Sequence, residues 1–282
     1  YFTEPTEASK KLLVEAPVSM ENLGTLRRNS TVSKDNSRLN DTQLAAKELA
    51  FLRRLGGNSV VEVTVPGIGR DPLALREVSS KAHVNVIAAT GWYIAVSHPP
   101  LVGAKTIDEL SEIMIHELTE GIEQTGIKAG VIKTACSVPL HKDEEKVLRA
   151  AARAQRATNA CHTVHAWGVD FVTRTRFKEA DKYINLVEEE GGNIQKFYIS
   201  HIDRSCTDLA HNRKILDRGV TVGYDGFGYG YDAGIDIFFP GAVNPTDGQR
   251  VEALVELCKE GYDKQIVLSQ DVCEKMGLRK YG

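Results

Sequence analysis

The sequence predicts an α/β fold, a (β/α)8 barrel of the TIM type that is incomplete in this chain, with seven of its eight strands legible. Three observations point there. Helix-like and strand-like segments alternate along the chain; most of the strand-like runs are apolar through their middles, as parallel strands buried on both faces are; and chemically competent side chains recur at the ends of those runs. Lys133 closes AGVIK, His165 closes CHTVH, His201 closes KFYISH and Asp271 closes QIVLSQD. The intervals are 165 − 133 = 32, 201 − 165 = 36 and 271 − 201 = 70. The last is two units of about 35, near the length of one βα unit in a barrel of roughly 250 residues, whose functional side chains converge at the C-terminal strand ends. An open doubly wound sheet would gather its ligand at one switch point; candidates spread over strands far apart in sequence favour a ring.

Residues 1–40 are polar and irregular and contain no convincing strand. The strands are expected near 59–65, 83–90, 129–134, 161–166, 196–202, 220–226 and 265–271. Helices are expected between them. Segment 41–55 has apolar residues at helical spacing and stops at Gly56-Gly57, while 106–120, 143–158, 175–190, 206–218 and 247–261 show the same amphipathic pattern. A shorter helix over 71–82 opens on Asp71-Pro72, where proline's missing N–H costs nothing in the first turn. The glycine-rich run GYDGFGYGYDAG (223–234) does not open an apolar helix, so it reads as a loop rather than a dinucleotide-binding turn.

A chain of 282 residues can be one barrel domain, and residues 1–282 are taken as one. Its 26% charged residues balance to −3, which leaves no basic excess for nucleic acid and points to a small-molecule partner. No stretch approaches the roughly 18 apolar residues of a membrane span, and YFTEPTEASKK lacks the apolar core of a secretory signal. No membrane association and a cytoplasmic location are therefore expected. The five cysteines, without a C-x-x-C pair, read as reduced thiols, with Cys136 and Cys273 as small buried hydrophobes.

Alternate residues of a strand share a face, so Lys133 goes with Val131, His165 with Thr163, His201 with Ile199 and Asp271 with Ser269, each continuing an inward row. Imidazole and carboxylate are ordinary ligands of zinc and similar divalent metals. A cationic lysine is not. Singly, each residue has a plainer reading: a structural histidine, an N-capping aspartate, a lysine paired with an acid. Their joint recurrence at unit spacing favours a shared site.

The run GIEQTGIKAGVIKTACSVPLHKDEEKVLRAAARAQRAT, followed by HTVHA, ISHIDR and LSQDVC, together with EVTVPGIGRDP and TGWY upstream, resembles the phosphotriesterase family of the amidohydrolase superfamily, closest to its animal phosphotriesterase-related proteins. The resemblance implies that Lys133 is carboxylated by carbon dioxide and bridges two divalent metal ions per subunit, usually zinc. It implies that His165 and His201 bind one ion, and that Asp271 binds the other and handles the proton of the attacking water. Paired cations polarise a scissile carbonyl or phosphoryl group and lower the pKa of water. The implied reaction is hydrolysis of an ester, lactone or amide, N-acyl taurines among the amides. Tyr93 of TGWY, Arg204 after His201 and Trp167 after His165 are the expected substrate-binding residues; Trp167 stands where many relatives have proline. The family also implies a homodimer, for which the turn Trp92, Tyr93, Ile94, Val96, Pro99 and Pro100 is a candidate interface.

One departure matters. The family's first strand ends in a His-x-His pair, and none exists among His83, His98, His116, His141, His162, His165, His201 and His211. The opening EAPVSMENLGTLRRNSTVSKDNSRLND resembles the stretch that follows that strand in animal relatives, so the chain is read as a fragment lacking its first strand and last helix, and as inactive in that form. The alternative is a catalytically silent barrel that binds a small molecule or a protein, which Gln270 favours because animal relatives often carry histidine there.

Overall fold

The computed structural model describes residues 2, 4–166, 179–228 and 245–282. Among them seven strands form one sheet: β1 (Ser59–Glu62), β2 (Asn85–Gly91), β3 (Val131–Cys136), β4 (Cys161–Ala166), β5 (Phe197–Ser200), β6 (Thr221–Tyr224) and β7 (Ile266–Leu268). Every neighbouring pair is parallel and the spatial order is the sequence order, β1 through β7. Parallel neighbours require a crossover each time, and helices make most of these crossovers. The predicted incomplete barrel is found: the sheet curls into a half-barrel whose edge strands β1 and β7 each pair on one side among the described residues.

The helices are α1 (Ala8–Lys11), α2 (Leu23–Arg28), α3 (Thr42–Arg54), α4 (Pro72–Ala82), α5 (Pro100–Ala104), α6 (Ile107–Thr119), α7 (Lys142–Thr158), α8 (Ala180–Glu189), α9 (Leu209–Leu216) and α10 (Asp247–Lys259). Their starts follow local chemistry. Asp41 and Asp71 accept the N–H groups of Leu44 and Ala74, and Thr106 with Glu109 and Thr246 with Gln249 form reciprocal capping boxes. On α7, Val147, Leu148 and the alanines 150, 151, 152 and 154 are buried, so small side chains let that helix lie close to the sheet.

Strand alternation separates two faces. Val131 packs with Ala89, Val65, Ile87 and Tyr93 inside the curl, whereas Cys136, Val164, Phe197, Ile199, Val222 and Tyr224 face the helices. The expected strand bounds shift. The run at 129–134 becomes Val131–Cys136, because pairing with β4 continues through Ala135 with His165 and Cys136 with Ala166. Lys133 is thus mid-strand and not terminal. The runs 196–202 and 265–271 stop at Ser200 and Leu268, so His201 and Asp271 lie beyond their strands.

Residues 1–40 hold no strand among those described, as expected, and they have a partner. The chain after β7 runs into a short turn, Lys275–Gly277, that meets this opening segment. Lys275 N–H donates to Asn36 O at 2.9 Å, and the N–H groups of Arg279 and Lys280 donate to the Glu48 carboxylate of α3 at 3.1 and 3.2 Å. The two edges of the sheet are therefore tied by a strap of side-chain and turn contacts. The candidate dimer turn is not an apolar face: Trp92 is buried against Val102, Leu110 and Met114, and of the six residues only Val96 and Pro100 are exposed. Cys136 is buried as expected, but Cys273 is exposed because it lies on the strap and not in the core. No helix among the described residues is long and apolar enough to cross a membrane.

Candidate active site

Lys133 points into the curl from the middle of β3, with 4% of its surface exposed. Its neighbour across the ladder is Gly91 at the end of β2. Gly91 has φ +110°, and a Cβ there would fall 2.1 Å from the Lys133 carbonyl oxygen, so glycine alone lets β2 and β3 approach at this level. Burial pushes the Lys133 amine down to about 8, against the opposing pull of Asp271 and Asp225. Roughly a tenth of the amine is then uncharged at pH 7, far more than for an ordinary lysine.

His165 points inward from β4 two residues after Thr163, whose hydroxyl meets Ser200 Oγ at 3.2 Å. His162, on the opposite face, contacts Thr134 Oγ1 at 2.8 Å and the Phe197 ring. It takes no part in the site.

His201 reaches the interior by a different route from the one its spacing predicts. Ile199, its supposed partner on the same face, packs against the helices, and strict alternation would send His201 there too. The strand ends first, and His201 adopts φ +67°. Asp225 stabilises that backbone: Oδ2 accepts the His201 N–H at 3.1 Å and Oδ1 lies 2.7 Å from ring Nδ1. Burial would raise the Asp225 carboxyl, but His201 and the nearby Arg204 outweigh it and hold the group well below the usual carboxylate range. Tyr198 donates its hydroxyl to Asp225 Oδ2 at 3.0 Å. Asp225 was not among the sequence candidates, although Thr221, Gly223 and Asp225 form an inward row in VTVGYDG that strand periodicity alone could have revealed.

The histidines meet. His165 Nδ1 and His201 Nε2 lie 2.6 Å apart, and Tyr93 OH sits 3.1 Å from His165 Nε2. Burial, with the charges of His201, Lys133 and Arg204, drives His165 well below its ordinary value and keeps it neutral. With Nδ1 held by Asp225, Nε2 is the ring atom that His201 turns toward His165. Both ring nitrogens face one interior point at hydrogen-bond distance from each other; a zinc held by both, about 2.0–2.1 Å from each, needs them to part to roughly 3.3 Å. Asp271, with φ +46°, brings Oδ2 to 3.9 Å from His201 Nδ1, within ion-pair range but beyond a hydrogen bond.

Among the described residues, no three His, Cys, Asp or Glu side chains are gathered tightly enough to form an ion site by themselves. The donors fit a metal only if Lys133 adds an anionic oxygen, which a carbamate would supply. Arg204 lies half-buried in the turn Ile202–Ser205, its N–H donating to His201 O at 3.1 Å. Trp167 lies outside the described residues. Beneath the His201 turn is a buried ion pair that sequence reasoning also missed: Arg250 Nε to Asp203 Oδ2 at 2.6 Å, with Arg250 Nη1 donating to Pro245 O at 2.6 Å. It joins two segments 47 residues apart, and an isolated sequence carries no local sign of that.

The chain has recognisable relatives. Residues 5–282 match the family model described as phosphotriesterase family. An N-acetyltaurine hydrolase of Salmo salar is 33% identical over 277 residues, covering 96% of this chain and 75% of the relative. A phosphotriesterase-related protein of Nematostella vectensis is 33% identical over 288 residues, covering all of this chain and 79% of the relative. Among solved structures, a resiniferatoxin-binding protein from Rhodobacter sphaeroides aligns with a TM-score of 0.91 at 33% identity, covering all of this chain and 76% of that one. With its family model matched over nearly its whole length, this chain belongs to the phosphotriesterase family.

Proposed function

We propose that this protein is a metal-dependent hydrolase of carboxylic esters, lactones or amides, with N-acyl taurine-type amides as the leading substrate class. The observation that carries this is the convergence of Lys133, His165 and His201 from three adjacent strands onto one interior point, with the two ring nitrogens 2.6 Å apart. The Salmo salar relative, an N-acetyltaurine hydrolase, supports the substrate class.

In this reading His165 Nδ1 and His201 Nε2 would hold one zinc, Lys133 as its carbamate would add an anionic oxygen, and Asp271 would hold a second ion. Bound zinc would supply Lewis acidity toward the scissile carbonyl and lower the pKa of water. The chain's own residues do the rest. The lowered Lys133 pKa enlarges the share of neutral amine, the form that can add carbon dioxide. Asp225 fixes the ring and tautomer of His201. Asp271, the more exposed carboxylate, takes the proton of the attacking water and passes it toward the leaving amine or alcohol. Tyr93, at His165, flanks the position of the substrate acyl group, and Arg204 supplies a cation for an anionic tail such as a sulfonate.

Because this chain has no His-x-His pair, the second ion has fewer donors and is expected to be held more weakly. Metal analysis after zinc loading should find one ion that survives dialysis and a second that does not. Hydrolysis is to be screened over N-acetyltaurine, aliphatic lactones and p-nitrophenyl acetate. Asp271→Ala should lower kcat about a hundredfold or more while leaving the tight zinc in place. A zinc-free, well-folded and inert full-length protein would instead support a silent binding barrel.

Asp225→Asn should weaken zinc retention by about 10–100-fold, because an amide cannot take the His201 proton as strongly. Chelator competition measures it. Retention equal to the parent protein would remove Asp225 from the site.

A further inference from the structure

Asp271 stands on the least supported strand of the sheet. β7 is three residues long, pairs only with β6 among the described residues, and leaves Val267 and Leu268 exposed. A three-residue edge ladder does not by itself define the direction of a side chain three positions further on. The second anchor of this segment is 275 − 271 = 4 residues away, and it comes from the other end of the sequence.

That anchor is Asn36, which has no exposed surface. Its backbone oxygen accepts Lys275 N–H at 2.9 Å, and its side-chain Oδ1 accepts Met276 N–H at 2.9 Å. On the other side, Nδ2 donates to Ser30 O at 2.9 Å, and the Asn36 N–H donates to Ser33 Oγ at 3.2 Å. Asp35 adds an ion pair with Lys275 Nζ at 2.5 Å. Met276 completes the attachment by burying its side chain in the cluster of Val18, Leu23, Leu26 and Val32. A fully buried amide that spends its side chain on two main-chain groups, one from each end of the chain, is costly to install and costly to remove.

We infer that Asn36 is a positioning residue for Asp271: it clamps the turn at Lys275 and Met276, and through four residues of chain it fixes where the Asp271 carboxylate stands relative to His201. This rests on the reading of Asp271 as the acid of a hydrolytic metal centre. The opening segment, which holds no predicted site residue, thereby acquires a part in the chemistry. The Ser33 bond and the Lys275 N–H bond are made by main-chain atoms of Asn36 and survive its truncation. The Ser30 and Met276 bonds do not.

The test uses the full chain with Asn36→Ala, Asn36→Asp and, as a milder surface variant, Lys275→Met. Backbone hydrogen exchange is followed by peptide over 272–277 and over β3 to β5, with kcat and KM measured on the best substrate of the screen. Asn36→Ala should speed exchange over 272–277 about tenfold or more with β3 to β5 unchanged, as expected for the loss of buried hydrogen bonds to one local unit. It should also lower kcat about tenfold with KM within about twofold, since Asp271 acts on the proton and not on substrate binding. Asn36→Asp keeps the acceptor for Met276 but turns a buried carboxylate oxygen on Ser30 O and beside Glu274, so it should move both at least as far as Asn36→Ala, and Lys275→Met should move both in the same direction by less. Faster local exchange with unchanged kcat in all variants overturns the inference, as does exchange that rises equally across β3 to β5. A parent protein that binds no zinc and hydrolyses none of the substrates removes the hydrolase reading itself, and the inference with it. That result is distinguishable because it appears before any substitution is made.

Discussion

Lys133→Met is expected to reduce hydrolysis by about a thousandfold and to weaken retention of the tightly held zinc while the protein stays folded. The size follows from what the position does. In the proposed centre the Lys133 carbamate would serve both ions, so its loss removes a ligand from each, whereas Asp271→Ala spares the tight one. Methionine fills the buried stem without the amine, so the packing beside Val131 and Ala89 is retained. Zinc content and initial rates measure the effect, and a Lys133→Met protein as active as its parent would exclude Lys133 from catalysis.

The same substitution carries a pH signature in chelated, carbon dioxide-free protein. Folding lowers the Lys133 amine from 10.5 to about 8, burial being the cause. The unfolded chain therefore binds that proton more tightly, and the burial penalty is present in full below about 8. As pH rises from about 8 toward 10.5 the penalty is relieved, so this group makes stability increase across that window. The total is of the order of 3 kcal/mol at most, at about 1.4 kcal/mol per unit. Lys133→Met should lack that rise in urea unfolding curves recorded through the window.

The largest expected loss of stability comes from the buried pair beneath His201. Arg250→Met strands the Asp203 carboxylate, whose side chain has no exposed surface and which burial and Asp225 already push toward protonation. Removing one partner of such a pair costs about 3–5 kcal/mol, enough to consume much of the stability of a domain. Two further contacts raise the stakes: Arg250 also holds Pro245 O at the start of α10, and a Cβ at Gly226 would come within 2.5 Å of Asp203 Oδ2, so no side chain can fill a gap from that side. The double substitution Asp203→Leu with Arg250→Met should recover a good part of the loss, because an apolar pair of similar volume needs no partner. Urea unfolding of both variants decides this; a double variant no more stable than Arg250→Met would mean the site cannot accept an apolar pair.

The sheet was legible because its cause is local. Doubly buried parallel strands and amphipathic helices write their periods into the chain, and Lys133, His165 and His201 could be read from strand spacing. What escaped depends on single backbone angles and on distant partners. His201 enters the site because a left-handed residue follows a strand that stops early, a choice Asp225 enforces from another strand. Asp225 itself follows the ordinary alternation of β6 and was hidden by the glycines around it. Asp203 with Arg250, and Asn36 with Met276, are pairings across 47 and 240 residues that no window of sequence contains. Within the apolar run after β2, Trp92 turns back into the layer between sheet and helices, which its neighbours in sequence do not signal.

Because spatial order follows sequence order in the sheet, a growing chain can lay down each strand against one already in place. Lys133, His165 and His201 come into register once the middle strands have formed, and Asp271 is placed only when the segment after β7 has found Asn36. Contacts between neighbouring units carry modest loop-closure cost, while the strap must close a loop of 240 residues. The proposed nitrogen donors are thus brought together by contacts between neighbouring units, whereas the place of the proposed acid depends on a contact across 240 residues.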